Sequence, residues 1–79
     1  MAIRVHWSEG LRRYASREDG VDECPWSAEL TPRAIAQRAG LSDADLSAVL
    51  AFVNDSLASL DATLQDGDEL RFDITIHGR

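Results

Sequence analysis

The sequence predicts an α+β domain in which one main helix packs on one face of a mixed sheet. Two segments near the ends of the chain alternate apolar and polar residues, as strands with one buried face do. Their apolar positions are Ile3, Val5 and Trp7 in the first segment and Leu70, Phe72, Ile74 and Ile76 in the second. Between them, residues 31–40 carry the start and stop signals of a helix. This order places the two terminal strands side by side in the centre of the sheet.

Length and composition predict one domain over residues 1–79 and argue against two classes of partner, nucleic acids and membranes. The chain has 44% hydrophobic residues, a net charge of −6 and one cysteine, and its eight cations are all arginine. Binding to a phosphate backbone needs clustered basic residues, so we expect no nucleic-acid partner. The longest apolar run is 48–53, far below the roughly 20 residues that span a bilayer. We expect no membrane contact and a cytoplasmic protein, because the N-terminal residues also lack a secretory signal.

The segment after the first strand is less regular. Residues 10–15 predict a short helical turn, and the polar, glycine-containing stretch 16–24 predicts a loop. A weaker strand is expected over about 21–30, interrupted by Pro25, which cannot donate to a strand ladder. These two expectations overlap at residues 21–24.

The main helix has clear boundaries. Thr31 is suited to the N-cap, Pro32 to the first helical position and Gly40 to the stop. Ser42 begins a second candidate helix, and four apolar residues after it fall at helical spacing. They are Leu46, Val49, Leu50 and Val53. Residues 51–53 fit a short strand equally well, and periodicity leaves the two alternatives open.

Two turns complete the pattern. Asn54-Asp55 predicts a turn between short apolar segments, since both residue types tolerate left-handed backbone. Asp66-Gly67-Asp68 predicts a second turn that leads into the last strand. The resulting order of strands and helix is that of a β-grasp, or ubiquitin-like, domain.

Residues that could carry chemistry are few. His6, His77 and Cys24 match no metal motif by their spacing, so we interpret them as exposed histidines and an inert thiol, with zinc binding through the two histidines as an alternative. The acidic group Asp66, Asp68 and Glu69 lacks the calcium-loop pattern, and we interpret it as a turn. The sequence predicts no metal site and no internal active site.

One stretch resembles a known family. Residues 53–70 begin Val53-Asn54 and end in Asp66-Gly67-Asp68-Glu69-Leu70, as does the corresponding stretch in the small subunit of molybdopterin synthase. Residues 7–14 resemble that family's aromatic end of strand one and the helical turn after it. The resemblance spans the chain in order and length. The sulfur carriers of the thiazole pathway (ThiS) share the fold of the molybdopterin synthase small subunit (MoaD). The chain therefore resembles sulfur carriers of the MoaD/ThiS type.

The resemblance implies a sulfur carrier that works through a C-terminal glycine. In this family an E1-like adenylating enzyme activates the glycine carboxylate with ATP, sulfur replaces AMP to give a thiocarboxylate, and the tail enters a larger synthase subunit for molybdopterin biosynthesis. The carrier itself binds no cofactor and is not a catalyst. Where the family has two glycines this sequence has His77-Gly78, followed by Arg79. We therefore expect a flexible tail from about residue 76, with Gly78 as the acceptor once Arg79 is removed.

The resemblance also implies docking through apolar residues on the exposed sheet face together with the tail. The candidates for partner binding are Phe52, Leu57, Phe72 and His77. Phe72 is in phase with the other apolar residues of the last strand, and for this candidate the phase favours a place in the core over an exposed docking surface. The alternative function is a divergent β-grasp interaction module that has lost sulfur transfer.

Overall fold

The computed structural model describes residues 2–74 and contains one five-stranded mixed sheet. The elements in chain order are β1 (Ala2–Trp7), a 3₁₀ helix (Glu9–Tyr14), β2 (Val21–Pro25), α1 (Pro32–Ala39), α2 (Asp43–Leu46), β3 (Val49–Val53), β4 (Ser56–Ala58) and β5 (Glu69–Ile74). The strand order is β2-β1-β5-β3-β4. Strands β1 and β5 are parallel, and the other neighbours are antiparallel. The α+β class and the adjacency of the first and last strands are confirmed.

The core lies on one face of this sheet. Alternate residues of the two central strands are buried: Ile3, Val5 and Trp7 of β1, and Leu70 and Phe72 of β5. Ile35 and Ala36 of α1 belong to the same apolar cluster, as does Leu46 of α2. Since the residues between the buried positions point the other way, the opposite face carries the polar side chains.

Helix α1 has the predicted boundaries. The Thr31 hydroxyl accepts a hydrogen bond of 3.2 Å from the Ala34 N–H, and Pro32 occupies the first turn. The helix ends at Gly40, whose φ of 113° is a left-handed conformation that glycine adopts without a side-chain clash.

After Ser42 the sequence left a helix and a short strand open, and the chain forms a short helix first and then a strand. Ser42 caps α2, which is a single turn, and the chain then enters β3. A helix reaching Val53 is therefore wrong, because Val49 and Val53 pair with Ile74 and Leu70 of β5. Pairing with the central strand overrides the helical spacing.

The segment before α1 corrects two expectations. The loop is shorter than 16–24, because residues from Val21 onward pair with β1. The residue before Val21, Gly20, also contacts β1, since its carbonyl accepts a hydrogen bond from the Trp7 N–H. The strand also stops at Pro25 and does not continue to Leu30.

Within residues 2–74, no helix is long and apolar enough to cross a membrane.

Candidate functional site

The sheet face opposite α1, called the open face from here on, brings together polar and apolar side chains from four strands. They are Arg4 and His6 of β1, Glu69 and Arg71 of β5, Phe52 of β3 and Leu57 of β4. Strand alternation places them there, since their neighbours along each strand point to the opposite side of the sheet. Within residues 2–74, Leu57 and Trp26 are the exposed large apolar residues, and Leu57 is 66% exposed.

One row of side chains crosses the open face. His6 pairs with Arg71, Arg71 with Phe52, and Phe52 with Leu57. The Arg71 guanidinium carbon lies 4.5 Å from the centre of the Phe52 ring, in the geometry of a cation–π contact. The half-buried Phe52 ring therefore has a cation on one side and the exposed Leu57 on the other.

The acidic residue beside this row is held by β1. The Glu69 carboxylate lies 3.9 Å from the Arg4 guanidinium and 3.2 Å from His6 Nε2. The His6–Glu69 contact is not aligned as a hydrogen bond, and His6 Nε2 is buried. Among the described residues Arg71 has no ion pair, although Glu69 is two positions away on the same strand.

A shallow depression of about 380 Å³ lies on the open face between His6, Phe52, Asn54 and Glu69. The turn at residues 54–55 lines one side of it and contacts a second turn, which precedes β5. The Asn54 side chain donates a 3.0 Å hydrogen bond to the Asp68 carboxylate, which also accepts one of 2.8 Å from the Gln65 N–H. These contacts confirm the turn at residues 66–68. Within residues 2–74, no group of three or more histidine, cysteine, aspartate or glutamate side chains is placed to hold a metal ion.

The predicted partner-binding residues separate into three groups. Phe52 and Leu57 lie on the open face, as expected. Phe72 is fully buried and stacks on Trp7 with ring centres 4.8 Å apart, so its assignment to an exposed docking surface is corrected to a place in the core. His77 and the tail residues Gly78 and Arg79 lie outside the described residues.

Cys24 and His6 lie on different faces of the sheet. Cys24 is half-buried beside a small crevice of about 190 Å³ between β2 and α1, where Tyr14 and Ile35 also line the wall. Its Sγ lies 3.6 Å from the Pro25 carbonyl oxygen. Among residues 2–74, no histidine lines the crevice beside this thiol.

Sequence reasoning missed Arg71. Its position between two core residues of β5, Leu70 and Phe72, already placed it on the opposite face. Its contact with Phe52 depends on the register between β3 and β5, which the sequence does not specify. No family model matches this sequence, and neither does any curated protein.

Proposed function

We propose that this chain is a β-grasp, ubiquitin-like protein of the MoaD/ThiS sulfur-carrier type. The observation that carries the proposal is the position of β5, which is the central strand, runs parallel to β1 and precedes Gly78 by four residues. The strand order and the single main helix over one face support the β-grasp assignment. The sequence likeness over residues 53–70 supports the carrier assignment.

The end of β5 adjoins the open face. Asp73 pairs with Leu50 on the open face, one residue before β5 ends, so a partner that covers this part of the face would also reach the end of the strand. The same partner could then receive the residues that follow. This arrangement suits a protein that is recognised through its sheet and reacts through its tail.

The chemistry belongs to the tail and to the partners. An E1-like adenylating enzyme would use ATP to form an acyl-adenylate on the Gly78 carboxylate, and a sulfur donor would displace AMP to leave a thiocarboxylate. Gly78 must be C-terminal for this step, so Arg79 and any residue after it have to be removed. A larger synthase subunit would accept the sulfur during molybdopterin biosynthesis. The carrier holds no cofactor of its own.

The test is the intact mass of the protein isolated from its own host during active cofactor synthesis. We expect a species that ends at Gly78 and in which one oxygen is replaced by sulfur. A thiol-alkylating reagent should label this species twice, once at Cys24 and once at the C-terminus. The Cys24→Ser variant is the matched control, because it should retain only the C-terminal label. An unmodified chain that keeps Arg79 would contradict sulfur transfer.

The second candidate is an interaction module without sulfur chemistry. The row formed by Arg71, Phe52 and Leu57 favours it, because these residues make a surface that does not depend on Gly78. Deletion of residues 78–79 separates the two functions. If the deletion abolishes sulfur transfer and leaves the affinity for the large synthase subunit unchanged, the protein is a carrier that docks through its open face. An interaction module would show no sulfur transfer either before or after the deletion.

A further inference from the structure

We propose that Arg71, held on the Phe52 ring, recognises a carboxylate of an acidic partner segment while Leu57 contacts an apolar side chain of that segment. The inference rests on the proposed docking through the open face and names the chemistry of the partner. It commits to one kind of occupant, a protein segment that presents an acidic and an apolar side chain on the same face.

The first argument is the absence of an internal partner for Arg71 among residues 2–74. Two acids lie two positions from Arg71 along β5. The Glu69 carboxylate lies beside Arg4 and His6, and the Asp73 carboxylate accepts a hydrogen bond of 2.8 Å from the Ile74 N–H. Elsewhere in this part of the chain Arg17 pairs with Asp19, and Arg33 with Asp61. Arg71 therefore presents a positive charge at the middle of the open face in a protein whose net charge is −6.

The second argument is the position of the guanidinium. Its carbon lies 4.5 Å from the centre of the Phe52 ring, so the ring shields one side of the group while its other N–H groups can still donate. Arginine binds a carboxylate through two parallel hydrogen bonds. Because the contact with Phe52 restricts the side chain, less conformational entropy is lost on binding.

The third argument is the position of Leu57. It lies across the Phe52 ring from Arg71, on the edge strand β4, and is 66% exposed. Cation, aromatic ring and aliphatic side chain therefore follow each other in one row across β5, β3 and β4. A segment that matches this row needs an acidic residue beside an apolar one.

A titration monitored by two-dimensional NMR tests the proposal with two blocked peptides of equal length. One repeats two leucines followed by two glutamates, and the other two leucines followed by two lysines, so that each face of the extended peptide carries apolar and charged side chains in turn. We expect the acidic peptide to shift the Arg71 side-chain Nε–H and the amides of Phe52 and Leu57, and to bind roughly tenfold or more tightly than the basic peptide. Its affinity should fall as salt is added.

Three variants make the result specific. Arg71→Glu should remove the preference for the acidic peptide, and Arg71→Lys, which keeps the charge without the planar edge, should lose part of it. Arg38→Glu on α1 changes the net charge by the same amount away from the open face and should bind as the unmodified protein does. Equal affinity for both peptides, equal losses in Arg71→Glu and Arg38→Glu, or no binding of either peptide at millimolar concentration would each reject the proposal.

The peptide test is independent of sulfur transfer. It uses no tail chemistry and can be repeated after deletion of residues 78–79. Binding to the acidic peptide by a chain that never carries a thiocarboxylate would retain this inference and reject the carrier. A chain that carries a thiocarboxylate but does not prefer the acidic peptide would support the carrier function and reject the role of Arg71.

Discussion

The side-chain amide of Asn54 donates a 3.0 Å hydrogen bond to the Asp68 carboxylate and so joins the turn between β3 and β4 to the turn before β5. The Asn54 side-chain oxygen also accepts a hydrogen bond of 3.0 Å from the Glu69 N–H. Asn54 has a φ of 51° and Asp55 one of 71°, the left-handed pair that a two-residue hairpin turn requires. The asparagine and the later aspartate–glycine–aspartate–glutamate run therefore form one structural unit.

Replacement of Asn54 tests this unit. Asn54→Ala removes two side-chain hydrogen bonds and leaves a less suitable residue in left-handed backbone, so we expect the free energy of unfolding to fall by about 2 kcal/mol. Urea unfolding monitored by circular dichroism measures the change.

Two glycine variants separate the hydrogen bonds from the backbone conformation. Asp55→Gly relieves a left-handed residue whose side chain makes no hydrogen bond in the described structure, and it should stabilise the protein by about 0.5 kcal/mol. Asn54→Gly relieves the same kind of backbone but loses the hydrogen bonds, so it should destabilise. If the two glycine variants are equally stable, the side-chain hydrogen bonds of Asn54 to Asp68 and Glu69 contribute nothing.

The burial of Phe72 predicts a large loss of stability on truncation. Its side chain is fully buried and stacks on Trp7, so Phe72→Ala should cost about 3–5 kcal/mol. A domain of this size has little more than that, and the variant should be largely unfolded in thermal melts. Phe72→Leu keeps most of the volume and should stay folded at a cost of about 1–2 kcal/mol. A folded Phe72→Ala variant that loses only partner binding would contradict the core assignment.

The cap of α2 predicts a pH dependence of stability. The Ser42 N–H donates to the Asp45 carboxylate at 3.0 Å, and the Ser42 hydroxyl accepts from the Asp45 N–H at 3.2 Å. The pKa of Asp45 lies below its ordinary value of 3.8. The larger cause is the hydrogen bond from the Ser42 N–H to the carboxylate, and the smaller is hydrogen bonding with the Ser42 side chain. Because the pKa is lower in the folded state, this carboxylate stabilises the fold above pH 3.8, and that contribution is lost as the pH falls through the folded-state pKa.

Asp45→Asn isolates this contribution. Urea midpoints between pH 7 and pH 2 should show the unmodified protein as the more stable form at neutral pH, with the difference shrinking in acid. The Asp61 carboxylate, whose pKa the Arg33 hydrogen bond lowers, is unchanged in both proteins and cancels from the comparison. Two curves that stay parallel down to pH 2 would show that the Asp45 charge does not stabilise the cap.

Local signals were sufficient for the elements that depend on neighbours in sequence. Thr31 and Gly40 bound α1 because capping and left-handed backbone are properties of single residues. The alternation in β1 and β5 was visible because each strand has one buried face. The Asn54-Asp55 turn is equally local.

Long-range pairing decided the elements that the sequence left open or misplaced. Residues Val49–Val53 have helical spacing, yet they lie in a strand because β5 is available beside them. Residues 21–24 are polar enough for a loop but pair with β1. The cation–π contact of Arg71 with Phe52 has the same origin, since it joins residues 19 positions apart through the strand register. Periodicity within one segment contains no information about such pairing.

The exposure of Leu57 allows docking to be tested without disturbing the core. Leu57→Glu places a charge on an edge strand where the side chain is 66% exposed, so the free energy of unfolding should change by less than about 0.5 kcal/mol. Under the proposed carrier function, the same charge beside the Phe52 ring should abolish binding to a large synthase subunit, measured by calorimetry. Ser56→Glu is the matched control, because Ser56 pairs with Val53 and points away from the open face. If both variants bind equally well, the partner does not use this surface. If Leu57→Glu unfolds, Leu57 contributes to the fold rather than to docking.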